Sequence, residues 1–458
     1  MTFDRVLEAL LSTCEQLAEF VAVERACVIR GPDGRVRLII APHRSQTEKE
    51  TSELLEKLEN DLAAALGKFY PGRRDRRTDP IEGVLSTTDK PPRGNVARSL
   101  LEKGQPWTTA EYNDPVTGKP VNPIAGRWLL LERRLSKLGW LDAHEVRDIW
   151  PLAPNLPSIV TFYSFKGGVG RTTALVSCAL QLAGRGERVA VLDLDLEAPG
   201  LGPLLGVETE RGVVDLIVDH IATDTIDLDQ SYAAPQNLDP TTAGNIDVFP
   251  AGRLDRGFLE KLARLDFTSA SPWGNEQEIP VRKALVDLLS RIRKELKPKW
   301  ILLDARAGFH DLAGMSLHGL AHADVLVTRA SEQAYQGLDL TIRALGKRKA
   351  QDRLRCITVH GFAPPDPSTT DGQVEMTEMR ERVYGMFSDH VYSLLNDDIP
   401  EMTDQTGAHW PWPLKRNANL ERFTSISSVQ DDLRSQQHRD LLRRIEELCS
   451  PDSPGEDG

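Results

Sequence analysis

The chain of 458 residues has no CxxC pair, and its five cysteines, Cys14, Cys27, Cys178, Cys356 and Cys449, are scattered and odd in number. That usage argues against a disulfide framework and against a zinc or iron–sulfur site built on paired thiolates, and it fits a reducing compartment. No uninterrupted apolar stretch approaches the ~20 residues that a membrane span needs. The first residues, Met1-Thr2-Phe3-Asp4-Arg5, lack a basic region followed by an apolar run, so no signal peptide is read there. A soluble, cytoplasmic protein is expected. The formal net charge of −12 argues against a surface that tracks nucleic acid throughout, and no internal repeat is found.

What is present is ordinary globular composition, 40% hydrophobic and 27% charged, in a chain long enough for two or three domains. Residues 1–150 read as a small α+β domain. Val6, Leu7, Leu10, Leu11, Leu17 and Phe20 fall at helical spacing, and 27–30 and 36–40 read as strands around the turn Pro32-Asp33-Gly34. Thr47 with Glu50 forms a capping box for a helix running to about Gly67, with Leu54, Leu55, Leu58 and Leu62 on one face. The polar stretch from Arg73 to Arg93 reads as an exposed loop, and a second helix is expected near Trp128 to Leu138. Trp128, Trp140 and Trp150 are expected in the core of this region, at its contact with the rest of the chain, or on a partner surface. No catalytic constellation is present here, so the expected role is binding an unknown protein partner.

Pro151, Pro154 and Pro157 punctuate the chain as a domain boundary. Beyond them, strands are expected over 159–163, 188–192, 246–249, 300–303, 325–328 and 356–360, with helices over 172–183, 281–296 and 337–345. Such alternation implies an α/β domain, 158–449, with a mostly parallel sheet and helices on both faces. Leu433, Leu441, Leu442, Ile445 and Leu448 suggest a packed C-terminal helix, and the acidic residues 450–458 are expected to be disordered. The acidic tail after that helix argues against membrane attachment.

Between the first strand and helix of that domain lies Lys166-Gly167-Gly168-Val169-Gly170-Arg171-Thr172-Thr173. Glycines allow a backbone to wrap closely around a phosphate, and a helix N-terminus behind them points amide hydrogens at the anion. The general pattern GxxxxGK[ST] is met imperfectly, because Phe165 stands at the first glycine and Arg171 at the lysine. The segment resembles the narrower pattern KGGxGK[ST] of the ParA/MinD family, which belongs with the nitrogenase iron protein and the arsenite-pump ATPase, and departs from it only at Arg171. Val191-Leu192-Asp193-Leu194-Asp195-Leu196-Glu197-Ala198-Pro199-Gly200 is similar to the family's DxD segment, and Trp300-Ile301-Leu302-Leu303-Asp304 to its Walker B strand. Ile246–Gly252 resembles a further family segment, and the likeness covers about 158–360, extending toward 430. The arginine loop looks like a branch found in multidomain bacterial signalling and conflict proteins.

The resemblance implies a P-loop ATPase fold of the SIMIBI class that binds ATP with Mg2+. Gly167, Gly168, Val169 and Gly170 would cradle the β-phosphate, Arg171 would reach the β- and γ-oxygens, and Thr173 the α-phosphate. Thr172 would ligate magnesium directly, with Asp193 and Asp304 near it, Asp304 acting through water. Asp195 would orient the attacking water. Lys166 matches the lysine that crosses to a partner subunit's nucleotide, which implies a homodimer on ATP binding. Arg306 would sense the γ-phosphate or a partner.

The expected function is an ATP-driven dimerisation switch that hydrolyses slowly, because arginine keeps the charge of lysine but not its shape. One rival is a nucleotide-gated scaffold with negligible hydrolysis. A second is a DNA-partitioning ATPase, for which Arg343, Lys347, Arg348, Lys349, Arg353 and Arg355 offer a basic patch; a solvated helix end is the plainer reading. A tyrosine autokinase is set aside, since the last tyrosine is Tyr392. ATP is preferred over GTP because no NKxD guanine motif occurs. His318 and His322, four apart, lack a third metal ligand at a fitting spacing.

Overall fold

The computed structural model describes residues 1–31, 33–71, 83–107, 126–133, 137, 140, 149–236, 238–268, 280–317, 319–349, 354–394, 399–423 and 425–450. They fall into two compact units, Met1–Leu135 and Ser136–Gly458.

In the first unit, strands β1 (Val23–Arg30), β2 (Val36–Pro42), β3 (Val84–Ser86), β4 (Gln105–Pro106) and β5 (Trp128–Glu132) form a mixed sheet in the order β3-β2-β1-β5-β4. β1 and β2 pair antiparallel from Arg30↔Val36 outward, and Gly34, at φ +78, makes the turn between them. The Thr47–Glu50 capping box is formed: the Glu50 N–H donates to Thr47 Oγ1 at 3.3 Å, and the Thr47 N–H to Glu50 Oε2 at 2.8 Å. Helix Glu48–Leu66 then buries Leu54, Leu58 and Leu62 in one core, while Cys27, Ile29, Ile39 and Leu85 fill a second.

Two expectations fail in this unit. Trp128–Glu132 is a strand, not a helix; it pairs parallel with β1, where Trp128 stacks on Phe20 at 5.3 Å and its Nε1–H donates to Glu15 Oε1 at 2.8 Å. A short apolar run fits either period, and the open edge of β1 decides it. The loop expected over 73–93 contains the buried strand Val84–Ser86, and residues 72–82 of it lie outside the described residues.

In the second unit, β6 (Ser158–Tyr163), β7 (Val189–Leu194), β8 (Ile246–Phe249), β9 (Trp300–Ala305), β10 (Ala323–Thr328), β11 (Cys356–Ala363) and β12 (Pro411–Lys415) form one sheet in the order β12-β11-β10-β6-β9-β7-β8. Every pairing is parallel. β7, β9 and β10 are buried along their whole length, as a parallel sheet covered on both faces requires. Helix Arg171–Gly184 and the C-terminal helix Gln436–Leu448 cover one face; Leu433, Leu441, Leu442 and Ile445 are buried there as expected. Trp140 and Trp150 belong to this unit: Trp140 packs on Tyr163 and Phe309, and Trp150 Nε1–H donates to the Pro157 carbonyl at 2.7 Å. The unit therefore begins earlier than the proline punctuation suggests. Among the described residues no helix is long and apolar enough to cross a membrane.

Burial pushes the His438 imidazole, on the C-terminal helix, down to about 4. A ring kept neutral in the folded state and protonated near pH 6.5 when unfolded lends stability above pH 6.5, and that stability is lost as pH falls toward 4. Denaturant unfolding is expected to lose roughly 3 kcal/mol through this ring between those limits. His438→Gln removes that part of the decline, and an unchanged pH slope would contradict the assignment.

Candidate functional site

β6 ends at Tyr163, and the chain turns through 164–170 into helix Arg171–Gly184, whose N-cap, Gly170, has φ +90 and no side chain to cap the first turn. Gly168 stands at φ +68. L side chains avoid this region, so the loop conformation selects glycine. A Cβ built on Gly167, Gly168 or Gly170 would meet no heavy atom within 4 Å, so the loop borders open space in front of an uncapped helix N-terminus. That is the electrostatic and steric arrangement of an anion cradle. Behind it, the Val169 side chain is buried, and its carbonyl lies where a Cβ on Gly361 would come within 2.2 Å. Phe165 is tolerated at the first glycine position because its ring turns onto the backbone of Gly337 and against Phe309, not toward the cradle.

Register assembles the acidic side of the site. β7 and β9 pair with Asp193 opposite Asp304, and Asp304 also lies opposite Phe162 of β6. Arg171 sits among these carboxylates. Its Nε–H donates to Asp304 Oδ1 at 2.6 Å and its Nη2 to Asp195 Oδ2 at 3.0 Å. The Thr172 hydroxyl donates to Asp304 Oδ2 at 2.7 Å. Burial works against the charge on Arg171, but Asp304 and Asp195 more than offset it, so the guanidinium is held above its ordinary range. Arg171, expected to reach phosphate oxygens, thus spends two of its nitrogens on carboxylates.

Asp193 is committed to backbone. Its Oδ1 accepts from the Asp195 N–H at 3.1 Å, and its Oδ2 from Gly200 and Leu201 N–H, each at 3.0 Å. It pins the turn that carries Asp195 and Glu197, and register sets it opposite Asp304. Burial and the neighbouring Asp304 charge push its carboxyl up to about 7, against the pull of those amides. Asp195 is 7% exposed, and its Oδ1 has no hydrogen-bond partner.

The loop after β9 is tied to the loop after β6: Gly308 N–H donates to the Ser164 carbonyl at 3.2 Å, and the Tyr163 hydroxyl to the Gly308 carbonyl at 3.3 Å. Arg306 is thereby held over the acidic residues, its Nε 3.9 Å from Asp195 Oδ1 and its Nη1 paired with Glu197. His310 Nε2 lies 3.3 Å from the same Glu197 carboxylate, and burial, followed by Arg306, depresses that imidazole. Sequence reasoning misses Glu197 and His310; Glu197 stands inside the DxD-like segment, while His310 carries no signal. Lys166 is half-buried and Thr173 lies half-buried in the first helical turn.

The donors present fit magnesium: a hydroxyl and a carboxylate 2.7 Å apart, with a buried Asp195 oxygen that accepts no hydrogen bond, are hard oxygen ligands. His322 is not a ligand, since its Nδ1 accepts from the Ile159 N–H at 2.9 Å and its Nε2 lies 2.8 Å from the Trp150 carbonyl; His318 lies outside the described residues. Of the basic patch, Arg343 is exposed and Arg355 half-buried, and the side chains of Lys347, Arg348, Lys349 and Arg353 lie outside the described residues.

Residues 155–250 match the family model ParA, described as the NUBPL iron-transfer P-loop NTPase. The cytosolic Fe-S cluster assembly factor CFD1 of Debaryomyces hansenii is 35% identical over 71 residues, 16% of this chain and 24% of that protein. The iron-sulfur cluster carrier protein of Escherichia coli is 41% identical over 79 residues, 16% of this chain and 21% of its own. The chain thus spans about a quarter or less of the curated relatives it matches. The cell division ATPase MinD of Pyrococcus furiosus aligns with a TM-score of 0.41 at 19% identity, over 64% of this chain and 98% of that one.

Proposed function

We propose that the chain is an ATP-binding, slowly hydrolysing dimerisation switch built on a ParA-type P-loop NTPase domain, a reading that the family match over residues 155–250 supports. The observation that carries the reading is the glycine loop open in front of an uncapped helix N-terminus, with Thr172 and Asp304 joined beside it. The polyphosphate lies along Gly167 to Gly170 and takes its hydrogen bonds from backbone amides. A bound magnesium ion would supply neutralisation of the β- and γ-phosphate charge, held by Thr172 directly and by Asp304 through water. Asp195 accepts a proton from the attacking water through Oδ1, which takes no hydrogen bond from the protein, and Arg306, held by Glu197, meets the γ-phosphate edge. Phosphoryl transfer asks for such positioning and little else.

Lys166 makes no ion pair with a described residue, which leaves its ammonium for a second copy's nucleotide. Met1–Leu135, a compact unit with its own core, suits the expected protein-binding module of a cytoplasmic signalling or defence protein. The iron–sulfur cargo of the named relatives is not carried over. All five cysteines are buried and free, and burial pushes the Cys27 and Cys449 thiols up to about 12.

Mass in solution tests the switch. Light scattering is expected to give the single-chain mass with ADP and twice that mass with a non-hydrolysable ATP analogue. Lys166→Ala is expected to bind the analogue and stay at the single-chain mass. A mass indifferent to nucleotide would remove the switch and leave a nucleotide-binding protein.

A further inference from the structure

In a phosphate site lined by Asp304 and Asp195, a cation must offset the repulsion between those carboxylates and the incoming polyphosphate. Here a guanidinium already occupies one oxygen of each: Nε on Asp304 Oδ1 and Nη2 on Asp195 Oδ2. The second Asp304 oxygen takes the Thr172 hydroxyl hydrogen. A hydrated ion that needs Asp304 to hold its water ligands must therefore compete with a charge-assisted pair that is 90% or more buried at both ends.

Lysine at this position would engage the two carboxylates with a different geometry. An ammonium is a point charge on a flexible stem, whereas the planar fork of arginine reaches two carboxylates with separate nitrogens and keeps Nη1 over. Nη1 makes no hydrogen bond to a described residue, which leaves it for a phosphate oxygen.

We propose that Arg171 is a resident counter-cation of the nucleotide site, so that this chain binds nucleoside di- and triphosphates with little dependence on divalent metal. The proposal rests on the nucleotide-binding reading under Proposed function. It makes Arg171 a determinant of which form of the nucleotide is bound, free or metal-complexed, separate from any part in turnover.

The test is equilibrium binding of a fluorescent ADP and of a non-hydrolysable ATP analogue to the full chain, in millimolar magnesium and in excess EDTA. Wild type is expected to change affinity less than about threefold between the two conditions. Arg171→Lys is expected to weaken at least about twentyfold on metal removal, because its acidic side then lacks a fixed partner. The wild-type titration is decisive even where the variant fails to fold. Nucleotide binding that collapses in EDTA for wild type overturns the proposal alone, and so does an Arg171→Lys variant as metal-independent as wild type. No binding in either condition overturns it together with the nucleotide reading.

Discussion

Asp195→Ala is expected to lower single-turnover phosphate release by about 10²–10⁴-fold while leaving ATP affinity within about tenfold of wild type. The carboxylate is buried with one oxygen tied to Arg171 and the other without a donor, and an acceptor so placed is fit to take a hydrogen from water. The fold contribution of Asp195 is separable. Asp195→Asn keeps the shape and an acceptor for Arg171, yet removes the charge that takes the proton, so it is expected to release phosphate as slowly as Asp195→Ala. Rates for both variants equal to wild type would show that the measured phosphate comes from contamination, and the nucleotide-gated scaffold would then be the better description. Wild type itself is expected to be slow, since Asp195 must serve water while its Oδ2 holds a guanidinium.

The second large effect is expected from the loop. Gly168 sits at φ +68, where a β-branched residue is a true outlier, and a side chain there points into space that holds no other protein atom within 4 Å. Gly168→Val is expected to weaken nucleotide at least about 100-fold, roughly 3 kcal/mol, by filling the cradle and by straining its backbone. Because that space is open, the thermal midpoint is expected to move by only a few degrees. Affinity retained within about threefold would mean that the polyphosphate lies elsewhere.

Much of this site can be read along the chain because its parts are local. The glycine loop, the helix behind it and the carboxylate ending the apolar run 300–304 each declare themselves within ten residues, and strand–helix alternation orders them. The hidden part depends on register and on contacts across the sheet. That Asp193 faces Asp304 follows from the parallel pairing of β7 with β9, and nothing in either segment announces it. The turn of Arg171 toward two carboxylates is a consequence of that same juxtaposition. The tolerance of Phe165 depends on Gly337, over a hundred and fifty residues away. Trp128–Glu132 reads as a helix in isolation because five apolar or half-polar residues carry no period, and only the neighbouring β1 gives them one.

The proposed nucleotide binding, magnesium site and dimerisation switch all depend on the loop from Lys166 to Thr173 receiving a polyphosphate. Calorimetric titration of ATP into the full-length wild-type chain tests this most directly. One saturable site per chain, with Kd in the micromolar range and lost in Gly168→Val, is the expected result. An absence of saturable heat up to millimolar ATP, with magnesium and without it, would contradict it.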